Sequence, residues 1–136
     1  MNDAVRRARA LIGVPFRFQG RDVETGLDCV GLVIDAFALD SATVIADYDW
    51  RMAGDRVRHF ARIFFEECRA ERRAGDVLLA RTGRERRHLA IWTGRGVVHA
   101  DAVLGRVVER QGQPPWPIEA VLRRRLDEEG ATTWRR

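Results

Sequence analysis

Residues 30–39 are apolar on almost every side, with Asp35 as the main interruption, and Gly26, Asp28 and Cys29 lead into the run. A helix written this way is buried on most faces, so the rest of the chain must supply the layers that cover it. Gly26 can take the positive φ of a tight turn, and Asp28 is a good N-cap, which puts Cys29 in the helix's first turn. Unpaired amides and the macrodipole favour an anion there, so the thiol is expected to lose its proton early and act as a nucleophile. The competing reading is a buried structural cysteine, one of the most buried residue types. A partner side chain has to separate the two.

The 136 residues, 46% of them hydrophobic, are expected to form one domain over 1–136, with 127–136 a polar, frayed tail. No stretch has the length of a membrane span, and no secretory signal is recognisable, so synthesis in the cytoplasm is expected. Two cysteines in such a chain argue against a disulfide framework. Cys68 reads as a bystander late in a helix. All 24 basic residues are Arg, and 20 acidic ones offset them to leave a net charge of +4. That resembles a coding bias more than a nucleic-acid footprint, although Arg86-Arg87 and Arg123-Arg124-Arg125 can form a basic surface. No specific nucleic-acid partner is expected.

In chain order, residues 3–12 read as an amphipathic helix stopped by Gly13 and Pro15. An extended segment, 16–20, and a polar loop, 21–25, feed the cysteine turn. Residues 40–52 read as irregular, with Tyr48 and Trp50 as satellites of the core. Gly54-Asp55 opens a second long helix on which Val57, Phe60, Ala61, Phe64 and Phe65 recur at helical spacing, and His59 reads as a packing or surface residue. From residue 74 the pattern turns to strands at 77–80, 88–93, 97–101 and 106–110. A Pro-rich crossing, Pro114-Pro115-Trp116-Pro117, then leads to a last strand around 120–123, where a helix fits nearly as well. Helices followed by an antiparallel sheet make an α+β fold, with the first-half helix packed on the second-half strands.

The hairpin carries a specific inference. If Gly94 and Arg95 form a two-residue turn, Thr93 pairs with Gly96 and Ala90 lies opposite His99. His88 and Ala90 point the same way, so His99 shares a face with His88 and sits diagonal to it, at ~7–8 Å between backbones. A three-residue loop would send the two imidazoles to opposite faces.

A helix-borne cysteine with two same-face histidines is a thiol–imidazole constellation. The segments carrying it are Gly13 to Gly20, Leu27-Asp28-Cys29-Val30-Gly31-Leu32-Val33, Ala74-Gly75-Asp76-Val77-Leu78-Leu79, His88-Leu89-Ala90-Ile91-Trp92 and Val98-His99-Ala100. In that order they resemble the NlpC/p-sixty family of cell-wall cysteine peptidases. The resemblance implies a reduced papain-like fold, with the nucleophile at the start of the buried central helix. It implies cleavage of peptidoglycan stem peptides between D-glutamate, linked through its γ-carboxyl, and a diamino acid. Cys29 would be the nucleophile, His88 the general base and acid, and His99 the residue that orients it. No cofactor is implied, and although zinc could accept Cys29, His88 and His99, the resemblance accounts for all three without metal.

Three positions depart from the family's pattern: Phe16 replaces a tyrosine, Val30 a serine and Gln19 a glycine. The first two positions are tied in the family to recognition of the stem peptide, so Phe16 and Val30, with Asp28 holding a substrate amine, form the expected binding set. Val30 resembles the variant in phage and gene-transfer-agent tail peptidases, which implies a tail-associated enzyme, with other tail proteins as partners, that opens the wall during DNA delivery. The rival reading is a catalytically idle structural or wall-binding component of a tail tip.

Overall fold

Asn2 accepts hydrogen bonds from the Ala4 and Val5 amides through its side chain, and this cap nucleates α1, Asp3–Ala10. This computed structural model describes residues 2–40 and 53–125. Helix α1 buries Ala4, Val5 and Ala8 and stops with Leu11 as its C-cap, two residues short of the expected end. The chain then bridges from Pro15 to Arg106 and from Phe16 to Leu27. A two-stranded ladder of β1, Arg21–Asp22, and β2, Gly26–Leu27, brings it to the central helix α2, Cys29–Phe37. Asp28 caps α2 through the Gly31 amide, as the sequence predicts.

Two glycines let the preceding loop lie directly on this helix start. A Cβ on Gly31 would stand 2.2 Å from the Gly20 carbonyl oxygen, and one on Gly20 would stand 2.3 Å from that of Gly26. Gln19 adopts φ 63, the left-handed region where glycine is the easier choice. The spacing of the loop over Cys29 therefore depends on absent side chains.

Helix α3, Ala53–Phe64, follows the predicted position, and His59 is exposed on it. The chain departs from expectation where that helix ends. Phe65 and Glu66 do not continue it: β3, Phe65–Glu67, pairs with β8, Ile118–Arg124, so Cys68 follows a strand rather than ending a helix. Pairing satisfies the outer edge of β8, and Phe65 is buried edge-on against Phe37, ring centres 5.0 Å apart.

Strands β4, Val77–Arg81, β5, Arg87–Trp92, β6, Gly96–Asp101, and β7, Arg106–Gln111, complete a six-stranded antiparallel sheet ordered β3-β8-β4-β5-β6-β7. The last element is a strand, settling the choice between strand and helix. One face, with Val77, Leu79, Leu89, Ile91, Val98, Val107 and Leu122, packs on α2 through Leu32, Val33 and Ala36. The opposite face, with Leu78, Ala90, Trp92 and Val97, continues through Ile118 and Val121 of β8 and packs against Trp116. This is the α+β architecture expected, with the buried helix on one side of the sheet. Tyr48, Trp50 and the tail 127–136 lie outside the described residues.

The arginine cluster on β8 is largely engaged in the fold. Arg123 forms a two-pronged ion pair with buried Asp76, both contacts at 2.8 Å, and ties the start of β4 to β8. Arg124 donates to the Phe64 carbonyl and Arg125 to that of Arg62. Among the described residues no helix is long and apolar enough to cross a membrane.

Candidate active site

Thr93 donates to the Gly96 carbonyl at 2.8 Å, and Trp92 and Ile91 pair with Val97 and Val98, so the two-residue turn and its register are as predicted. Pairing of β5 with β6 stops there, although both strands continue. Amides alternate sides along a strand: Trp92 donates toward Asp76 on the β4 side, Thr93 toward β6. The Leu89 amide therefore faces β6 beyond the end of the ladder, where it favours negative charge on the Cys29 sulfur. This frayed pairing seats the start of α2 against β5, one residue from His88.

The two histidines meet on the face carried by Ala90 and Trp92. His88 Nε2 lies 2.9 Å from His99 Nδ1, with the rings edge to face. Trp116 packs edge-on against both, 5.0 Å from His88 and 4.9 Å from His99 between ring centres. Beyond His99 stands Asp101, whose Oδ2 is 3.9 Å from His99 Nε2. Cys29, His88, His99, Asp101 and Trp116 all line one cleft of about 460 Å³, together with Phe16, Arg86 and Arg110.

Electrostatics correct one expectation. Burial pushes the Cys29 thiol up to about 12, and the Asp28 carboxylate adds to that; the Leu89 amide, Arg21 and the Val30 amide oppose it. The helix start alone does not produce the early thiolate that the sequence suggests, because the sulfur of a buried cysteine beside a carboxylate loses more hydration than the macrodipole returns. Burial, with His99 next to it, pushes His88 down to about 3, against the pull of Asp101. Both shifts favour the uncharged forms, a thiol and a neutral imidazole, in the resting site. Sulfur becomes an anion here only if His88 takes its proton.

Of the expected binding residues, Phe16 lines the cleft and Val30 does not. Val30 is 2% exposed in the core beneath α2, because the first turn directs it inward, so its departure from serine alters packing rather than the cleft wall. Asp28 borders the cleft, but its oxygens accept from the Gln19 and Gly31 amides and from Arg21 at 2.9–3.0 Å. It is 4% exposed and holds the loop on the helix instead of awaiting a substrate amine. The two imidazoles bond to each other rather than converging on a common point, and among the described residues no group of three or more His, Cys, Asp or Glu could hold a metal ion.

Sequence reasoning missed Trp116 and Asp101. A tryptophan fixed between prolines in Pro115-Trp116-Pro117 was a usable signal, since the rigid crossing presents one large ring in a set direction. Asp101, two residues after His99 on the same strand, could have been found from the period-2 rule.

Residues 13–124 match the NlpC/P60 family. No match was found among curated proteins. Among solved structures the chain resembles the peptidoglycan hydrolase RipB from Mycobacterium tuberculosis, with TM-score 0.58 and 23% identity over 88% of this chain and 61% of that one. It resembles NlpC1 from Trichomonas vaginalis with TM-score 0.64 and 17% identity, over 87% of this chain and 41% of that one. The P60 domain of antigen MAP1204 from Mycobacterium avium subspecies paratuberculosis gives TM-score 0.57 and 20% identity, covering 90% and 91%. This chain thus spans less than two thirds of RipB and of NlpC1. These likenesses are of fold, and the family match runs through every segment that builds the cleft. The chain belongs to the NlpC/P60 family.

Proposed function

We propose that the chain is a cysteine peptidase hydrolysing peptide bonds in the stem peptides of peptidoglycan, with Cys29 as nucleophile, His88 as general base and acid, and His99 orienting His88. The observation that carries this reading is the 2.9 Å bond between His88 Nε2 and His99 Nδ1, in the cleft that Cys29 also lines. That bond occupies one nitrogen of His88 and leaves Nδ1 for the sulfur's proton. As Sγ attacks the amide carbon, its proton passes to His88, and the backbone N–H of Cys29 at the helix start offers a donor for the carbonyl oxygen. His88 returns the proton to the leaving amine. It then takes one from the water that cleaves the thioester.

The bond proposed is the γ-D-glutamyl–diamino acid link. A γ-linked glutamate leaves its α-carboxylate free, and Arg86 and Arg110 on the cleft wall suit such an anion. The family resemblance at Val30 further supports action from a phage or gene-transfer-agent tail during DNA delivery.

Digestion of purified peptidoglycan with the native chain and with Cys29→Ala, followed by mass analysis, tests the chemistry. New amino termini on the diamino acid, seen only with the native chain, are expected. No fragments from either would leave a structural, wall-binding component as the reading. Proteomics of purified tail particles tests the setting, and absence from them would remove it.

A further inference from the structure

We propose that Asp101 is a positioning residue that fixes which nitrogen of His99 carries the proton and, through His99, which nitrogen of His88 is left bare toward Cys29. This rests on the peptidase reading for its catalytic meaning, while the proton positions themselves can be read without any substrate.

Three groups of other residues face His99: the Asp101 carboxylate on its own strand, His88 from β5 and Arg110 from β7. Burial holds His99 below the usual imidazole range, with Arg110 adding to the effect and Asp101 opposing it. His99 therefore carries one proton at neutral pH, and the question is where. Its Nε2 looks toward Asp101 Oδ2 at 3.9 Å, too long for a formed hydrogen bond but close enough for the sign of the charge to decide. A bare nitrogen there would set a lone pair against a carboxylate, whereas an N–H is attracted to it. With the proton on Nε2, His99 Nδ1 is an acceptor, so the 2.9 Å contact must be His88 Nε2–H donating to it. A neutral imidazole has one proton. Nδ1 of His88 is then bare, which is the state a proton-accepting base requires.

Asp101 also has a structural duty that separates cleanly from this one. Its other oxygen, Oδ1, accepts from the Val103 and Leu104 amides at 2.8 and 3.0 Å and shapes the β6–β7 turn. Asp101→Asn keeps an Oδ1 for the turn and replaces Oδ2 by an NH₂ donor. That donor prefers a bare Nε2 on His99, moves the His99 proton to Nδ1, and forces His88 to accept on Nε2 and hold its own proton at Nδ1. The base is then blocked while the fold is kept.

The test is imidazole nitrogen NMR on the full chain labelled with ¹⁵N-histidine at pH 7. In the native chain both His88 and His99 are expected to be protonated at Nε2, and in Asp101→Asn both at Nδ1. Alkylation of Cys29 by iodoacetamide in a Cys68→Ser background gives a second readout, expected to slow tenfold or more in Asp101→Asn and to recover in Asp101→Glu. A native spectrum with the His99 proton on Nδ1, or unchanged protonation in Asp101→Asn, overturns the proposal. If Asp101→Asn does not fold, the native spectrum alone still decides. A native chain with the expected spectrum but no cleavage of peptidoglycan would refute the peptidase reading and leave the relay standing.

Discussion

His88 Nε2 and His99 Nδ1 stand 2.9 Å apart although the backbone ladder joining their strands ends at Ile91 and Val98. The rings bridge strands whose main chains have parted, and the gap is where α2 delivers Cys29. One local feature, the early end of a ladder, thus frees the Leu89 amide for the sulfur and leaves the imidazoles to hold each other.

The histidines are expected to differ in what they cost. His88→Ala removes the proton acceptor and should lower peptide hydrolysis about 10³-fold or more. His99→Ala removes only its orientation and should leave a measurable residue, with kcat falling and KM little changed. Steady-state kinetics on a synthetic stem peptide check this, and native-like rates in both variants would remove the dyad.

Cys29 should owe its reactivity to His88 rather than to the helix. With the thiol pushed up to about 12 by burial, the buried sulfur stays protonated once its base is gone. In a Cys68→Ser background, His88→Ala is expected to slow alkylation of Cys29 at pH 7 by tenfold or more. An unchanged rate would restore the helix start as the activator.

Stability should fall on mild acidification for a specific reason. His88 is pushed down to about 3 in the folded chain, so between about pH 6.5 and that value the unfolded chain binds a proton that the folded one refuses. This contribution is fully present above pH 6.5 and is lost as pH falls. Thermal melts at pH 7 and 5, where most carboxylates remain ionised, should show a drop in Tm that His88→Gln makes smaller. An equal drop in both would assign the effect to other groups.

Gly31→Ala should be strongly destabilising even though alanine is the better helix former. The added Cβ meets the Gly20 carbonyl oxygen at 2.2 Å, a backbone atom that cannot swing aside, and the Leu27 side chain at 3.1 Å. Overpacking of this kind costs about 1–3 kcal/mol, more than the ~1 kcal/mol gained in helix propensity. Urea denaturation measures it, and a neutral or stabilising result would mean that the loop does not rest on α2 as described.

Asp28→Ala should also unfold the chain more easily, by about 3 kcal/mol, because it strands the Gln19 and Gly31 amides and removes the buried carboxylate with which the Arg21 guanidinium pairs. The loss should appear in Tm, and a variant of native stability would return Asp28 to the substrate side of the cleft.

From the residues alone one can read what depends on near neighbours in the chain. An apolar run behind a capping aspartate gives a buried helix with its cysteine at the start, and the Thr93-Gly94-Arg95-Gly96 turn gives a register that sets both histidines on one face. Period and turn chemistry are local, so spacing suffices for them. What ends a ladder, or what covers a surface, is decided by partners distant in the chain. Phe65 left its helix because β8 offered an unpaired edge, Val30 turned into the core, and Asp28 met Arg21 and two amides. The protonation of Cys29 belongs to this second class: the helix start favours an anion wherever it occurs, but only the folded chain determines how much water the sulfur keeps.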